Sequence, residues 1–340
     1  MTPDPERTAT LMRPPSTPGR AGTVVAVLAV VLAACGGTAA APPAETAGTV
    51  TLSAANGEVT VPVTDTGIWA LDDYTAMRLL ALGVEPTHAG RNHYTGDQVV
   101  EAGYELLGAA GVELVEPDNV ELVAAAAPTL IVGTDDRADL VEQLRPIAPV
   151  LLIDDNAPWD RQLELLAAAT GREAEAGAVI ERLDAAVEDT AGRIAASEHA
   201  GATVSLLSAC GEQFCVYDSV RTSGALLDRF GLERPPGQRG AGNEHGYLLV
   251  SGETIDEHVA DVVIVYTGSV AFGAASPLEH PLFDTSDSVT AEVDFGAWFG
   301  TGPLDVAWIL NDLRAVLLGE GEIATAGDAP ELWAAVVGEG

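Results

Sequence analysis

Histidine, cysteine and serine are where catalytic or metal chemistry would begin in this chain, and their spacing supports little of it. The six histidines are His88, His93, His199, His245, His258 and His280. Only His88 and His93 are close in sequence, and a divalent-metal site needs several histidine and carboxylate ligands that converge. His93 or His245 could serve as an axial ligand to a large planar cofactor, although a lone loop histidine is more often a polar surface residue. Cys210 and Cys215 form a C-x4-C pair, weak evidence for a metal site. No G-x-S-x-G elbow, H-E-x-x-H or phosphate-binding loop occurs. Gly240-Ala241-Gly242 follows no strand and fails the dinucleotide pattern. A Cys215/His245 nucleophile pair is conceivable, but nothing in the sequence activates it. The expectation is therefore a protein that binds rather than catalyses, without a cofactor or a directly held metal. A hydrolase with an unrecognised site is the alternative from the enzyme class.

The third cysteine has a different setting. Arg7, Arg13 and Arg20 precede an uncharged run over 21–34. That run is short for a permanent span, which needs ~20 apolar residues, and reads as a secretory signal. It ends Leu32-Ala33-Ala34-Cys35-Gly36, which resembles the lipobox of bacterial lipoproteins. The resemblance implies that the Cys35 thiol is acylated and that the chain is cut just before it. The alternative is an ordinary signal peptide with Cys35 incidental. Residues 36–48 are mostly Ala, Pro, Gly and Thr and read as a flexible tether. In an exported chain the even pair Cys210 and Cys215 suggests a disulfide closing a short loop, with two free buried thiols as the alternative.

Removing residues 1–34 leaves 306 residues, enough for two lobes. They carry 13 arginines, no lysine and 49 acidic residues, a net charge of −36. Such a surface repels nucleic acid and anionic lipid.

The elements that would position a site follow a βα rhythm. Strands are expected over 68–71, 130–132 and 150–153. Asp72 or Asp73 caps a first helix that Gly83 stops, and 135–144 has helical spacing. From 159 to 200 strand signals vanish. One helix ends at Thr170-Gly171 and a second runs over 173–197, long enough to cross between lobes. The rhythm resumes with strands over 203–207, 247–250 and 262–265, and helices over 223–230 and 303–318. The expected organisation is a signal peptide over 1–34, a tether over 35–48, an N-terminal α/β lobe over 49–158, connecting helices over 159–200 and a C-terminal α/β lobe over 201–340.

The two halves echo each other. Asn119-Val120-Glu121 opens a helix, and eight residues after Glu121 comes Thr129-Leu130-Ile131-Val132. Ser251-Gly252-Glu253 is expected to open another, and eight residues after Glu253 comes Asp261-Val262-Val263-Ile264. A glutamate there complements a helix dipole, but that does not explain the matching offset.

At this point the residues resemble a known family: the substrate-binding proteins of iron–siderophore, haem and cobalamin ABC importers. The matching pieces run in order from Ala70-Leu71-Asp72-Asp73, through Pro117-Asp118-Asn119-Val120-Glu121, Gly171-Arg172-Glu173, Ser223-Gly224-Ala225-Leu226-Leu227 and Ser251-Gly252-Glu253, to Val293-Asp294 with Trp298 and Ile309-Leu310-Asn311-Asp312-Leu313. They span most of residues 67–318. The resemblance implies two Rossmann-like α/β lobes joined by a single long helix, a ligand cleft between them and little hinge closure. It implies that Glu121 and Glu253, one per lobe, dock on arginines of an ABC permease dimer. It also implies a monomer held to the membrane by lipid on Cys35, whose cargo is an iron(III)-siderophore complex, with haem or cobalamin as the alternative.

Ligand sites of open α/β sheets lie on loops after strand ends. That rule points to Trp69, Tyr74, Arg91 and Tyr94 in the first lobe. In the second it points to Tyr217, Arg221, His245 and Trp298, with Phe214, Asn243, Phe295 and Phe299 nearby. Aromatic rings would supply contact area and arginines paired donors to chelate oxygens. Arg91 and Arg221 could instead bridge surface acids, and Trp298 could be core. The overall charge makes the chain a poor funnel for a trianionic catecholate and favours a neutral or cationic hydroxamate-type complex, unless local cleft charge prevails.

Overall fold

In the computed structural model, which describes residues 48–91, 96–240, 242–243, 245–269 and 275–339, the chain forms a hairpin and two five-stranded sheets. The hairpin, β1 (Thr49–Ala54) and β2 (Gly57–Pro62), turns at Asn56-Gly57, where Gly57 takes a positive φ. The Asn56 amide donates to the Val150 carbonyl at 2.9 Å and accepts from Leu152 N–H at 3.1 Å, so the turn covers an edge strand that would otherwise be open.

The first lobe contains β3 (Ile68–Ala70), α1 (Asp73–Ala81), β4 (His88–Gly90), α2 (Gln98–Ala109), β5 (Glu113–Val115), α3 (Val120–Ala126), β6 (Leu130–Thr134), a 3-10 turn over Asp135–Leu140 leading into α4 (Val141–Leu144), and β7 (Val150–Ile153). The strands are all parallel, in the order β5-β4-β3-β6-β7. Asp72 is the N-cap of α1: its Oδ1 accepts from Thr75 N–H at 2.7 Å, worth ~1 kcal/mol for a cap of this kind. Its Oδ2 accepts from Thr134 N–H at 2.8 Å, tying the start of α1 to the end of β6.

Two helices follow. α5 (Trp159–Thr170) ends at Gly171 in the left-handed conformation, and α6 (Glu173–Ala195) runs for 23 residues. At ~1.5 Å per residue α6 is roughly 35 Å long.

The second lobe contains β8 (Val204–Cys210), β9 (Gln213–Tyr217), α7 (Thr222–Arg229), β10 (Tyr247–Val250), β11 (Val262–Thr267), β12 (Val289–Asp294), α8 (Phe295–Phe299), α9 (Pro303–Leu318) and α10 (Ala329–Val337). Its order is β10-β9-β8-β11-β12. Here β9 is antiparallel to both neighbours, while β8, β11 and β12 are parallel. Cys210 and Cys215 are joined by a disulfide at the β8–β9 turn, with Cα atoms 5.7 Å apart.

Alternation along each strand sends side chains to two faces. Ile68, Ala70, Leu130 and Val132 from the first sheet and Val204, Leu206, Val262 and Ile264 from the second belong to one contiguous core, joined by Val179, Leu183 and Val187 of α6 and Trp308, Ile309 and Leu313 of α9. The opposite faces form two local cores. One holds Trp69, Ile131 and Leu152; the other holds Leu207, Val216, Val263 and Val265.

The lobes also cap each other. Asp97, before α2, accepts from the Ser269 N–H and hydroxyl, both at 2.6 Å. Asp294 caps α8 through Ala297 N–H and also accepts from Gln98 N–H at 2.7 Å, at the start of α2. Burial raises the pKa of both carboxyls.

The two-lobed α/β architecture expected from the sequence is present. Two local expectations need correction. Ser251-Gly252-Glu253 opens a turn, in which Ser251 Oγ accepts from Glu253 N–H at 3.2 Å, and only a four-residue 3-10 helix follows over Ile255–His258. The stretch 135–144 is helical, but its first six residues are 3-10. The signal segment, Cys35 and the tether up to residue 47 lie outside the described residues.

Candidate functional site

A cleft of about 430 Å³ lies between the lobes. From the first lobe come Tyr74, in the first turn of α1, Thr134 at the end of β6, Asp136 and Arg137 in the turn beyond it, and Asp155 two residues after β7. From the second come Arg221, His245, Tyr247, Phe299 and Thr301.

The first-lobe residues follow from strand direction: all five strands are parallel, and their carboxyl ends point at the cleft. The second-lobe residues have a different origin. Because β9 runs against β8, the loop after β9 that carries Arg221 emerges at the amino end of β8. The turn holding His245, just before β10, emerges there too. Helix α8 turns back along the sheet, from Phe295 near Tyr266 to Phe299 near Tyr217, and brings Phe299 to the same place. The approach of Asp218 to α7 is so close that a Cβ at Gly224 would collide with the Asp218 carbonyl oxygen, so only glycine lets this loop return as it does.

Arg221 is held from three sides. Its Nη1 donates to Asp155 Oδ2 at 2.7 Å, its Nε donates to the His245 carbonyl at 3.2 Å, and its guanidinium lies 3.8 Å from the centre of the Phe299 ring. Only 5% of its side chain is exposed. Asp155 is itself anchored: Thr301 Oγ1 donates to its Oδ1 at 3.1 Å, and Arg78 Nη2 lies 3.7 Å away. Arg78 is wholly buried. Its Nη2 donates to Thr301 Oγ1, and its Nε and Nη1 have no hydrogen-bond partner among the described residues. Below this floor the Asp305 carboxyl is pushed up to about 7 by burial, against the opposing pull of Gly302 N–H and Arg78. At the rim Arg137 donates to Asp118 at 3.1 Å.

Of the residues expected to bind ligand, Tyr74, Arg221 and His245 line the cleft. Tyr217 lies underneath, 2% exposed, its hydroxyl 2.7 Å from Ser208 Oγ and its ring stacked on Tyr266. Trp69 is a core residue, stacked on His88 at 4.2 Å on the far face of the first sheet. Trp298 is also core: it is fully buried and donates its indole N–H to Asp312 at 2.8 Å. Arg91 places its guanidinium 4.8 Å from the centre of the Tyr104 ring and is absent from the cleft lining. Tyr94 lies outside the described residues. Phe214 packs on His280 in the second local core, while Phe295 stacks on Phe299 and supports it. Asn243 accepts from His245 N–H at 2.9 Å and shapes that turn.

Thr134, Asp136, Arg137, Asp155, Tyr247 and Thr301 also line the cleft without having been expected from the sequence. Asp155 could have been found, because Asp154-Asp155-Asn156 directly follows the strand over 150–153. Glu121 and Glu253 are both exposed, each nine residues ahead of the first residue of the fourth strand of its sheet. Among the described residues no group of three or more His, Cys, Asp or Glu is arranged to hold a metal ion.

Several known proteins resemble this chain in sequence or fold. A probable siderophore-binding lipoprotein of Bacillus subtilis (strain 168), YfiY, is 26% identical over 310 residues, covering 85% of this chain and 94% of that protein. The FhuD protein from S. pseudintermedius superposes with a TM-score of 0.67 at 20% identity, covering 80% of this chain and 98% of that one. Staphylococcus aureus SirA, solved with staphyloferrin B, superposes with a TM-score of 0.65 at 20% identity, covering 79% and 99%. Residues 68–286, from the first strand of the first sheet to just short of the last strand of the second, match the family described as periplasmic binding protein, and this two-lobed chain belongs to that family.

Proposed function

We propose that this protein is the substrate-binding lipoprotein of an ABC importer, and that it captures a ferric siderophore in the inter-lobe cleft and hands it to the permease. The observation that carries this reading is Arg221: an almost buried guanidinium, fixed by Asp155, the His245 carbonyl and the Phe299 ring, at the floor of a cleft that both lobes line. A donor held this way loses little freedom when it meets a chelate oxygen. Tyr74, Tyr247 and Phe299 provide apolar and aromatic surface around it. The name of the B. subtilis relative supports the cargo class. Nothing in this arrangement requires the protein to transform its ligand.

In this reading lipid on Cys35 holds the protein at the outer face of the cell membrane. Glu121 and Glu253, at matching offsets in the two lobes, meet a two-fold permease dimer.

Titration of the purified protein with ferric hydroxamates, ferric catecholates, haem and cobalamin tests the cargo, followed by tryptophan fluorescence and calorimetry. Saturable binding of a ferric siderophore is expected, with haem and cobalamin weaker. Tight binding of haem with a histidine-ligated absorption spectrum would transfer the assignment to His245 and haem. Binding of none of them would end the reading.

A further inference from the structure

The charges at the cleft are already matched. Among the described residues its lining holds Arg137 and Arg221 against Asp136 and Asp155, with no net formal charge. Both arginines are engaged by carboxylates, Arg221 by Asp155 at 2.7 Å and Arg137 by Asp118 at 3.1 Å. Another cation near the floor, Arg78, faces Asp155 and is wholly buried. Asp136 is exposed at the rim and forms no ion pair among the described residues.

A receptor for a polyanion needs cationic donors free to turn toward it. Arg221 cannot turn without leaving Asp155, the His245 carbonyl and the face of Phe299 together. Any anionic oxygen that reached its remaining edge would also lie close to the Asp155 carboxylate, which repels it. A neutral chelate needs only that one donor edge. A cationic arm gains the attraction of Asp136.

We propose that the cleft selects ferric chelates of zero or positive net charge, and that Asp155, shared between Arg221 and the buried Arg78, is the residue that sets this selection by keeping Arg221 engaged. This rests on the chelate-binding reading given above. It places the discrimination in a residue that meets its neighbouring arginine as well as the cargo, so its effect is on the ranking of ligands.

The test uses three ferric complexes of similar bulk: a linear trihydroxamate with a free ammonium, a neutral cyclic trihydroxamate and a trianionic tricatecholate. Dissociation constants are measured for the purified wild type, Asp155→Asn and Asp136→Asn, with circular dichroism melts to verify the fold. Wild type is expected to bind the neutral and cationic complexes at least about tenfold tighter than the trianionic one, and Asp155→Asn to narrow that gap by about tenfold. Asp136→Asn should weaken only the cationic complex, by roughly threefold, an effect that added salt also produces. A wild type that prefers the trianionic complex overturns the inference, as does a folded Asp155→Asn with an unchanged ranking. If Asp155→Asn does not fold, the wild-type ranking and the Asp136→Asn response decide. Failure of all three chelates to bind would instead remove the proposed function itself.

Discussion

The two lobes use the same strand order and reach the cleft by opposite routes. In the first lobe every strand is parallel, so Thr134 and Asp155 arrive at carboxyl ends, as open α/β sheets ordinarily arrange. In the second, β9 and its antiparallel neighbours reverse the geometry, and Arg221 and His245 arrive at the amino end of β8. The division of chemistry follows. Among the described residues the first lobe supplies both carboxylates of the lining, Asp136 and Asp155. The second supplies the buried guanidinium of Arg221 and the rings of Tyr247 and Phe299. A strand-end rule is therefore a rule about strand direction, and it transfers between lobes only where direction does.

The surface glutamates give the strongest way to break this comparison. If the lobes dock as equivalent halves, reversing both charges, Glu121→Arg with Glu253→Arg, should lower uptake into cells at least about tenfold with ligand affinity unchanged. The single reversals should each cost a similar part. Unchanged uptake by the double variant would remove the docking role. A large loss from one single reversal only would mean that α3 and the turn at Glu253 are not equivalent.

The next effect is within the cleft. Arg221→Ala removes the held donor and leaves Asp155 without its closest partner. Affinity for a ferric chelate should fall about 100-fold, or ~3 kcal/mol. Arg137→Ala, at the rim and paired with Asp118, should cost less than about threefold. Equal losses, measured by calorimetry, would erase the assigned division between buried second-lobe donor and half-buried first-lobe rim.

A further effect concerns the layer that both lobes share. Burial raises Asp305 to about 7 and Asp312 to about 6. A carboxyl raised in the folded state binds more protons there than in the unfolded chain. Its contribution to stability is fully present below the unfolded value of 3.8 and is lost as pH rises through about 7. Wild type should therefore lose about 2 kcal/mol more than Asp305→Asn between pH 5 and pH 8. Denaturant midpoints across that range measure it, and parallel curves would show that Asp305 does not titrate there.

Much of the framework was legible because it is periodic. The sequence pattern placed β10 over 247–250 and α9 over 303–318, where Pro303 opens the helix and Gly319 closes it with a positive φ. The long α6 was equally plain from Val179, Leu183 and Val187 on one face. Short elements were not. β4 and β5 have three residues each, too few to show an alternation, and the β1–β2 hairpin went unread although Asn56-Gly57 is a strong turn signal. For the site, residue type misled at Trp69 and Trp298. A tryptophan beside a strand end reads alike whether it faces a cleft or a core, and only the sheet face and the partner Asp312 separate the two. Arg221 was legible as an arginine on a loop. Its ion pair with Asp155, 66 residues away, was not, because no local spacing encodes it.

One feature of the fold bears on how a loaded protein could be told from an empty one. The apolar core continues without a break from one sheet to the other, and Asp97 and Asp294 stitch the two sides together at the start of α2 and α8. Bending there would expose hydrocarbon and strand buried carboxyls. A receptor built this way would work as a tray rather than a jaw, keeping its outline on loading. The message that cargo is present must then be carried by the cargo itself, in the face it leaves showing at the mouth of the cleft.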